Sequence, residues 1–278
     1  MKRNKIKIIF TDLDRTLLKD NNTISARNLT ALKNLKESGI VTVIATGRHI
    51  LSSRKVLSTN LPFDYLMFSS GCGIMDWKSQ ETIYENHLTE DEVKKVLQIL
   101  LTHKVDFMLH ESIPENHRFQ YKRVNENNFD LERRIKLYEP YAVPLQYPPQ
   151  KASQFVVILP SNSDEKFENI KKEIDFLKVI RATSPLDHKS IWLEVFPRNV
   201  SKGHSAEWLC KKLGINKAFT LGIGNDFNDI DLLEWTAQSY VVENSPNELK
   251  EKYNIIASNQ KDGFAGCVEK LSQFDKGY

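Results

Sequence analysis

Ile8-Ile9-Phe10-Thr11-Asp12-Leu13-Asp14-Arg15-Thr16 is the stretch that decides the fold. The apolar residues that end at Phe10 make 6–10 read as a strand buried in a sheet. The run stops in two carboxylates that flank a single leucine. In open α/β sheets, the carboxyl ends of the strands are where ligands bind. Two carboxylates so close repel each other unless a cation or a proton intervenes. A pair this costly points to a function.

Working outward, the signals alternate between strand and helix. Ser25 is an N-cap for a helix carrying Leu29, Leu32 and Leu35, which Gly39 stops. Val41 to Ala45 is a second buried strand, followed by Thr46-Gly47-Arg48 and a helix from about Ile50 to Leu57. Tyr65 to Phe68 is a third strand. This βαβ rhythm predicts a parallel sheet. After Gly71 the texture changes to hairpins and isolated helices. Thr89 to Glu92 is a capping box, strands are predicted at 107–110, 117–121, 154–159, 179–183 and 191–196, and helices at 128–137 and 164–176. Pro140, Pro144, Pro148 and Pro149 mark a loop. From Ser201 the βα rhythm returns, with a helix over 201–213, strands at 218–221, 239–242 and 254–257, and a helix opened by Ser245-Pro246. The expected architecture is a discontinuous α/β core, 1–84 and 198–278, with an α+β domain inserted at 85–197.

Four polar sites fall at predicted strand ends or a helix start: Asp12 with Asp14, Thr46-Gly47-Arg48, Lys202, and Gly224-Asn225-Asp226-Phe227-Asn228-Asp229. In a parallel sheet the strand-end sites share one edge. Carboxylates, a lysine and a threonine hydroxyl together suit a hard cation with a phosphoryl group. Mg²⁺ takes carboxylates and substrate oxygens and keeps some water, and lysine acts on phosphate as a point charge. A carboxylate can also attack phosphorus.

With these four motifs in this order, and an insertion of this size between the second and third, the chain resembles the haloacid dehalogenase (HAD) superfamily, in its Cof-like sugar-phosphatase branch, subclass IIB. D-x-D-x-T falls on Asp12 to Thr16, T-G-R on Thr46 to Arg48, S-K-G on Ser201 to Gly203, and the G-D-x-x-N-D motif on Gly224 to Asp229. Leu193 to Pro197 and Ser258-Asn259 to Gly263 are further echoes. The resemblance implies a Rossmann-like core with a cap that closes over it and chooses the leaving group. It implies Asp12 as the nucleophile that forms an aspartyl phosphate, Asp14 as general acid and base, Thr46 as a phosphoryl ligand, and Lys202 as charge compensation. Gly47, Arg48, Arg15 and Asn228 are the further substrate-binding candidates. Mg²⁺ is the implied cofactor, with Asp12, Asp14, Asn225, Asp226 and Asp229 as candidate ligands.

The sequence departs from the family pattern at three points. Arg15 replaces a common glycine, and its side chain either contacts substrate or points to solvent. The first aspartate of the fourth motif is Asn225, so either its amide oxygen or neighbouring Asp226 is the metal ligand. Ser70-Gly71 replaces Asn-Gly. Two rival readings stand beside a phosphatase of small phosphorylated metabolites, a sugar phosphate foremost: a sugar phosphomutase, and a phosphate-binding regulator with a decayed site.

Composition bounds these readings. The chain has 278 residues, 40% of them hydrophobic, with a net charge of +3. That suits about two globular domains and argues against nucleic acid or a membrane as partner. Oligomeric state is not legible. Cys72, Cys210 and Cys267 form no C-x-x-C pair, and no H-x-x-x-H occurs, so a zinc site is not indicated. Reduced thiols and the absence of an apolar leader point to the cytoplasm. Arg118, Lys122, Arg123, Arg181, His188 and Lys189 read as solvated surface before substrate contacts, and Trp77, Trp192, Trp208 and Trp235 as packing.

Overall fold

The computed structural model describes residues 5–125, 127–147, 149–184, 186–187 and 189–275. Pro148 and His188, singled out in the sequence, lie outside them. The chain divides into two compact units, one of residues 1–84 with 201–278 and the other of residues 85–200.

The first unit opens with β1 (Ile8–Asp12), α1 (Ala26–Glu37), β2 (Val41–Ala45), the single turn α2 (Ile50–Ser53), β3 (Tyr65–Phe68), β4 (Gly73–Asp76) and β5 (Thr82–Glu85). The Ser25 hydroxyl accepts from the Asn28 amide and starts α1, and Leu32 and Leu35 on one face of that helix are buried. β1 begins two residues later than the apolar run predicts and carries Asp12 as its last residue. The helix expected over 50–57 ends early. The Ser53 carbonyl receives both Val56 and Leu57 amides, which ends the helical ladder.

The second unit contains α3 (Glu90–Thr102), β6 (Asp106–His110), β7 (Phe119–Lys122), α4 (Phe129–Leu137), β8 (Ala142–Pro144), β9 (Gln154–Leu159), α5 (Asp164–Glu173), β10 (Lys178–Thr183) and β11 (Ile191–Phe196). Both halves of the Thr89–Glu92 capping box form. The strands make a six-stranded sheet in the order β10-β11-β9-β6-β7-β8. Phe107, Leu109, Phe155 and Val157 pack one face with Val93, Val96 and Phe167 from α3 and α5. Met108, Val156 and Trp192 pack the other with Leu131 of α4. β8 lies inside the proline-rich stretch expected to be a loop. It pairs only with β7, as an outer strand where proline costs no inner hydrogen bond.

The first unit resumes with α6 (Lys202–Leu213), β12 (Thr220–Gly224), α7 (Ile230–Trp235), β13 (Gln238–Val242), α8 (Asn247–Lys252), β14 (Asn254–Ile256) and α9 (Gly263–Asp275). β12 starts later than the apolar residues suggest because the Asn216 side chain caps a turn at Lys217–Phe219. Ser245 does not cap α8. Pro246 takes that position, and its carbonyl accepts from Leu249 and Lys250. α9, for which the sequence reading has no element, packs on α1.

The sheet of this unit runs β14-β13-β12-β1-β2-β3-β4-β5. Its first six strands are parallel and β4 turns back against β3. Ile8, Ile9, Phe10, Val43, Ile44 and Ala45 are fully buried, as central strands of a parallel sheet require. The architecture is α/β with a central parallel sheet. One edge of that sheet therefore collects the residues that follow β1, β2, β3, β12, β13 and β14.

Candidate active site

At that edge, the centre is Lys202. Its ammonium donates to Asp12 Oδ1 at 2.7 Å and to Asp229 Oδ1 at 2.5 Å, and all three side chains are buried. Lys202 is the first residue of α6, whose N-cap Ser201 accepts from the His204 amide. The next residue must be glycine, because a Cβ on Gly203 would collide with the Asp231 carbonyl. That close approach of α6 and α7 brings the lysine beside Asp229. The other Asp229 oxygen accepts from the Asn225 and Asp226 amides at 2.8 and 3.1 Å, so the fourth motif folds back on its own carboxylate.

One ammonium between two carboxylates leaves the buried centre with net negative charge. Burial pushes the Asp12 carboxyl up to about 7; Lys202 pulls it down, and Asp229 adds to the rise. Burial also opposes the Lys202 charge, but Asp12 and Asp229 outweigh it and hold the ammonium above the usual lysine value. Asp12 Oδ2 is buried and has no hydrogen-bond partner. A bare buried carboxylate oxygen costs free energy unless something cationic or proton-bearing meets it.

The donors around it fit a hard cation. Thr11 pairs with Ile223, so the segments after β1 and β12 leave the sheet side by side. This places buried Asn225, the first residue past β12, in the segment beside the one that follows Asp12. The neighbouring candidates are otherwise engaged. Asp229 has both oxygens committed, and Asp226, exposed, accepts from the Phe227 amide at its own turn. Among the described residues no three His, Cys, Asp or Glu side chains form a group that could hold a metal. A set of one carboxylate, an amide and a backbone carbonyl is nevertheless ordinary for a cation that keeps several waters.

Thr46 is fully buried after β2, and its hydroxyl accepts from the Arg48 amide at 3.1 Å, which leaves its own O–H to donate. A Cβ built on Gly47 would stand 3.6 Å from Ser70 Oγ and 3.9 Å from Asn228 Nδ2. The glycine thus leaves space lined by two polar side chains. Ser69 and Ser70, just before Gly71, adopt φ of +50° and +56°, a strained backbone for serine. Ser205 of α6 secures that turn by donating to the Gly71 carbonyl at 2.7 Å. Arg48 is turned onto Asp14, to which it donates from Nε and Nη2. Arg15 is exposed at φ +57°, with its carbonyl held by Asn244.

Sequence reasoning missed Ser205, Asn22, which accepts from Arg48 Nη2, Asn244, and Asn259, whose backbone amide donates to Asn244 Oδ1. Only Asn259 had a signal, as part of the Ser258 to Gly263 echo. The others are ordinary polar residues whose role depends on distant pairings.

An aspartate–lysine–aspartate centre at the carboxyl edge of a parallel sheet suits the handling of a phosphoryl group, and comparison with known proteins gives the class. Residues 9–268 match the haloacid dehalogenase-like hydrolase family. A candidate phosphatase of Streptococcus pyogenes is 27% identical over 272 residues, covering 95% of this chain and 98% of its own. Another, of Haemophilus influenzae, is 26% identical over 275 residues, covering 95% and 97%. Two solved structures share the fold. A phosphatase of the haloalkanoate superfamily from Bacteroides thetaiotaomicron has TM-score 0.80 at 17% identity, with 96% of each chain covered. A subclass IIB sugar phosphatase has TM-score 0.72 at 18% identity, covering 96% and 99%. The chain belongs to the haloacid dehalogenase-like hydrolases, in their Cof-like branch, as an enzyme of the phosphatase type. No helix among the described residues is long and apolar enough to cross a membrane.

Proposed function

We propose that the enzyme is a Mg²⁺-dependent phosphomonoesterase acting on a small phosphorylated metabolite, a sugar phosphate foremost, through an aspartyl phosphate on Asp12. The observation that carries this reading is the buried Lys202 bridge, which fixes one oxygen of Asp12 and leaves the other without a partner.

In this reading an Asp12 oxygen attacks phosphorus and the ester oxygen departs, taking a proton from Asp14. Water then attacks the phosphorus of the aspartyl phosphate. Asp14 accepts its proton, the bond to Asp12 breaks, and inorganic phosphate leaves. Lys202 holds Asp12 in place and offsets charge near the phosphoryl oxygens. Asp229 holds Lys202, and the Thr46 hydroxyl donates to a phosphoryl oxygen. Gly47 and Asn228 line the space beside it.

Mg²⁺ would be held by Asp12, the Asp14 backbone carbonyl and Asn225, and would supply positive charge opposite the phosphoryl group. Asn225 is preferred to Asp226 because Asp226 is committed to its own turn. Selection of the leaving group is assigned to the inserted unit, by resemblance. Three buried cysteines, far apart in sequence and with no C-x-x-C pair among them, support a reducing compartment and, with it, the cytoplasm.

The test is phosphate release from a panel of phosphorylated sugars, polyols, nucleotides and cofactors with Mg²⁺, against the Asp12→Asn variant. We expect a sugar phosphate among the best substrates and no turnover by the variant. Isomerisation of a sugar phosphate without phosphate release would replace hydrolysis by a mutase reading. Inactivity with Mg²⁺, Mn²⁺ and Co²⁺ would remove both.

A further inference from the structure

We propose that Arg48 acts on Asp14 as a positioning residue, holding its carboxylate in one place and one plane for hydrolysis of the aspartyl phosphate. The inference rests on the reading of Asp14 as acid and base.

A guanidinium has five N–H donors in a planar fork and no acceptor. In Arg48, every nitrogen is engaged within the first unit. Nε donates to Asp14 Oδ2 at 2.8 Å and Oδ1 at 3.1 Å, and Nη2 to Oδ1 at 2.5 Å. Nη2 also reaches Asn22 Oδ1 at 3.2 Å, and Nη1 the Ser52 carbonyl at 3.3 Å. The donors thus converge on a carboxylate and the groups around it. Asn22 is itself fixed. It sits at φ +61°, a conformation asparagine adopts more readily than most residues, in a turn closed by its own amide on the Lys19 carbonyl.

The arrangement matters because the Asp14 side chain is 43% exposed. Without the fork it would sample several rotamers, and ordering it would cost entropy in each cycle. A two-pronged pair fixes the plane of the carboxylate as well as its place. The same geometry serves the second half of the reaction. With both oxygens receiving N–H groups, the carboxylate can take the proton of attacking water by giving up a single contact. Arg48 therefore prepares the second step, in which the water O–H bond breaks, its proton passes to Asp14, and the new P–O bond replaces the bond to Asp12.

Stopped-flow measurements with p-nitrophenyl phosphate and Mg²⁺ separate the two steps, because its leaving group needs little help from an acid. Arg48→Gln and Arg48→Lys should each show a burst approaching one p-nitrophenol per enzyme. Steady turnover should then fall about tenfold or more, with KM changed less than about threefold, as expected when a reacting group loses its position. Arg48→Lys keeps the charge without the fork and should not rescue. Asn22→Ala should give a smaller loss in the same direction, and it keeps the test open should the arginine variants fold poorly.

A raised KM with unchanged kcat would make Arg48 a substrate ligand and overturn the proposal, as would rescue by Arg48→Lys. Asp14→Asn is the control. If it turns over like the wild type, the acid and base reading itself fails. If it bursts and stalls while the Arg48 variants do not, only the positioning role fails.

Discussion

The side-chain amide of Asn244 donates to the backbone carbonyl of Arg15 at 2.9 Å, joining residues 229 positions apart in the chain. It reaches from the end of β13 to the turn that follows the two motif aspartates. Its own oxygen accepts from the Asn259 amide, and the buried Asn259 side chain donates to the Leu18 carbonyl and to Asp20. Asn28 does the same on the other flank, donating to the Leu17 carbonyl and accepting from Ala265. Three asparagines therefore hold residues 15–20, where Arg15 stands in a left-handed backbone that favours glycine.

Asn259→Ala should cost about 2–3 kcal/mol of stability, since buried acceptors lose their donors. Denaturant unfolding measures it. Turnover should fall by more than the unfolded fraction accounts for, because the turn carrying Asp14 loosens. A loss in stability alone would make the asparagines scaffolding without effect on the site.

Lys202→Met tests the centre in the opposite sense. Removing one partner of a buried charged cluster typically costs 3–5 kcal/mol. Here it strands two carboxylates, so the loss should be at the upper end and turnover should vanish. Adding Asp229→Asn to Lys202→Met should recover part of the stability and none of the activity, read by urea unfolding and phosphate release.

Metal binding should be visible without catalysis. The net negative charge at Asp12, Lys202 and Asp229 means that Mg²⁺ should raise the melting temperature as its concentration passes its dissociation constant. Asn225→Ala should weaken that shift, Asp226→Ala should leave most of it, and Asp12→Asn should remove it. Chelation should abolish turnover by the wild type, and added Mg²⁺ should restore it. The reverse ranking of Asn225 and Asp226 would move the ligand to the carboxylate.

The motif sites were legible because each lies within a few residues of its strand or helix start. Asp12, Thr46 and Asn225 need only a parallel sheet to share an edge. Lys202 needs its N-cap. The central strands were legible for the same local reason, as with Val41–Ala45. What sequence could not give is set by distant partners. Asp229 reads as a metal ligand until the structure commits both its oxygens elsewhere. Arg48 reads as a phosphate contact until Asp14 takes its fork. β8 exists because β7 offers an edge, and α9 because α1 offers a face, and neither offer is written in the segment that accepts it.

His110 supplies a pH test outside the site. It is buried in β6, its Nδ1 on the Asn116 carbonyl at 2.9 Å and its ring near Phe119. Burial, with the Arg134 charge adding to it, lowers its pKa from 6.5 to about 3. The unfolded chain takes up this proton near pH 6.5 while the folded chain does not. The contribution to stability is therefore complete above pH 6.5 and is lost as pH falls toward 3, at up to about 1.4 kcal/mol per pH unit. His110→Gln keeps an N–H for the Asn116 carbonyl and cannot titrate. Between pH 6.5 and 4 its melting temperature should fall less steeply than that of the wild type, whatever the offset between them at pH 8. Parallel curves would mean that His110 takes up its proton as readily in the folded unit as in the unfolded chain, which would overturn the burial argument.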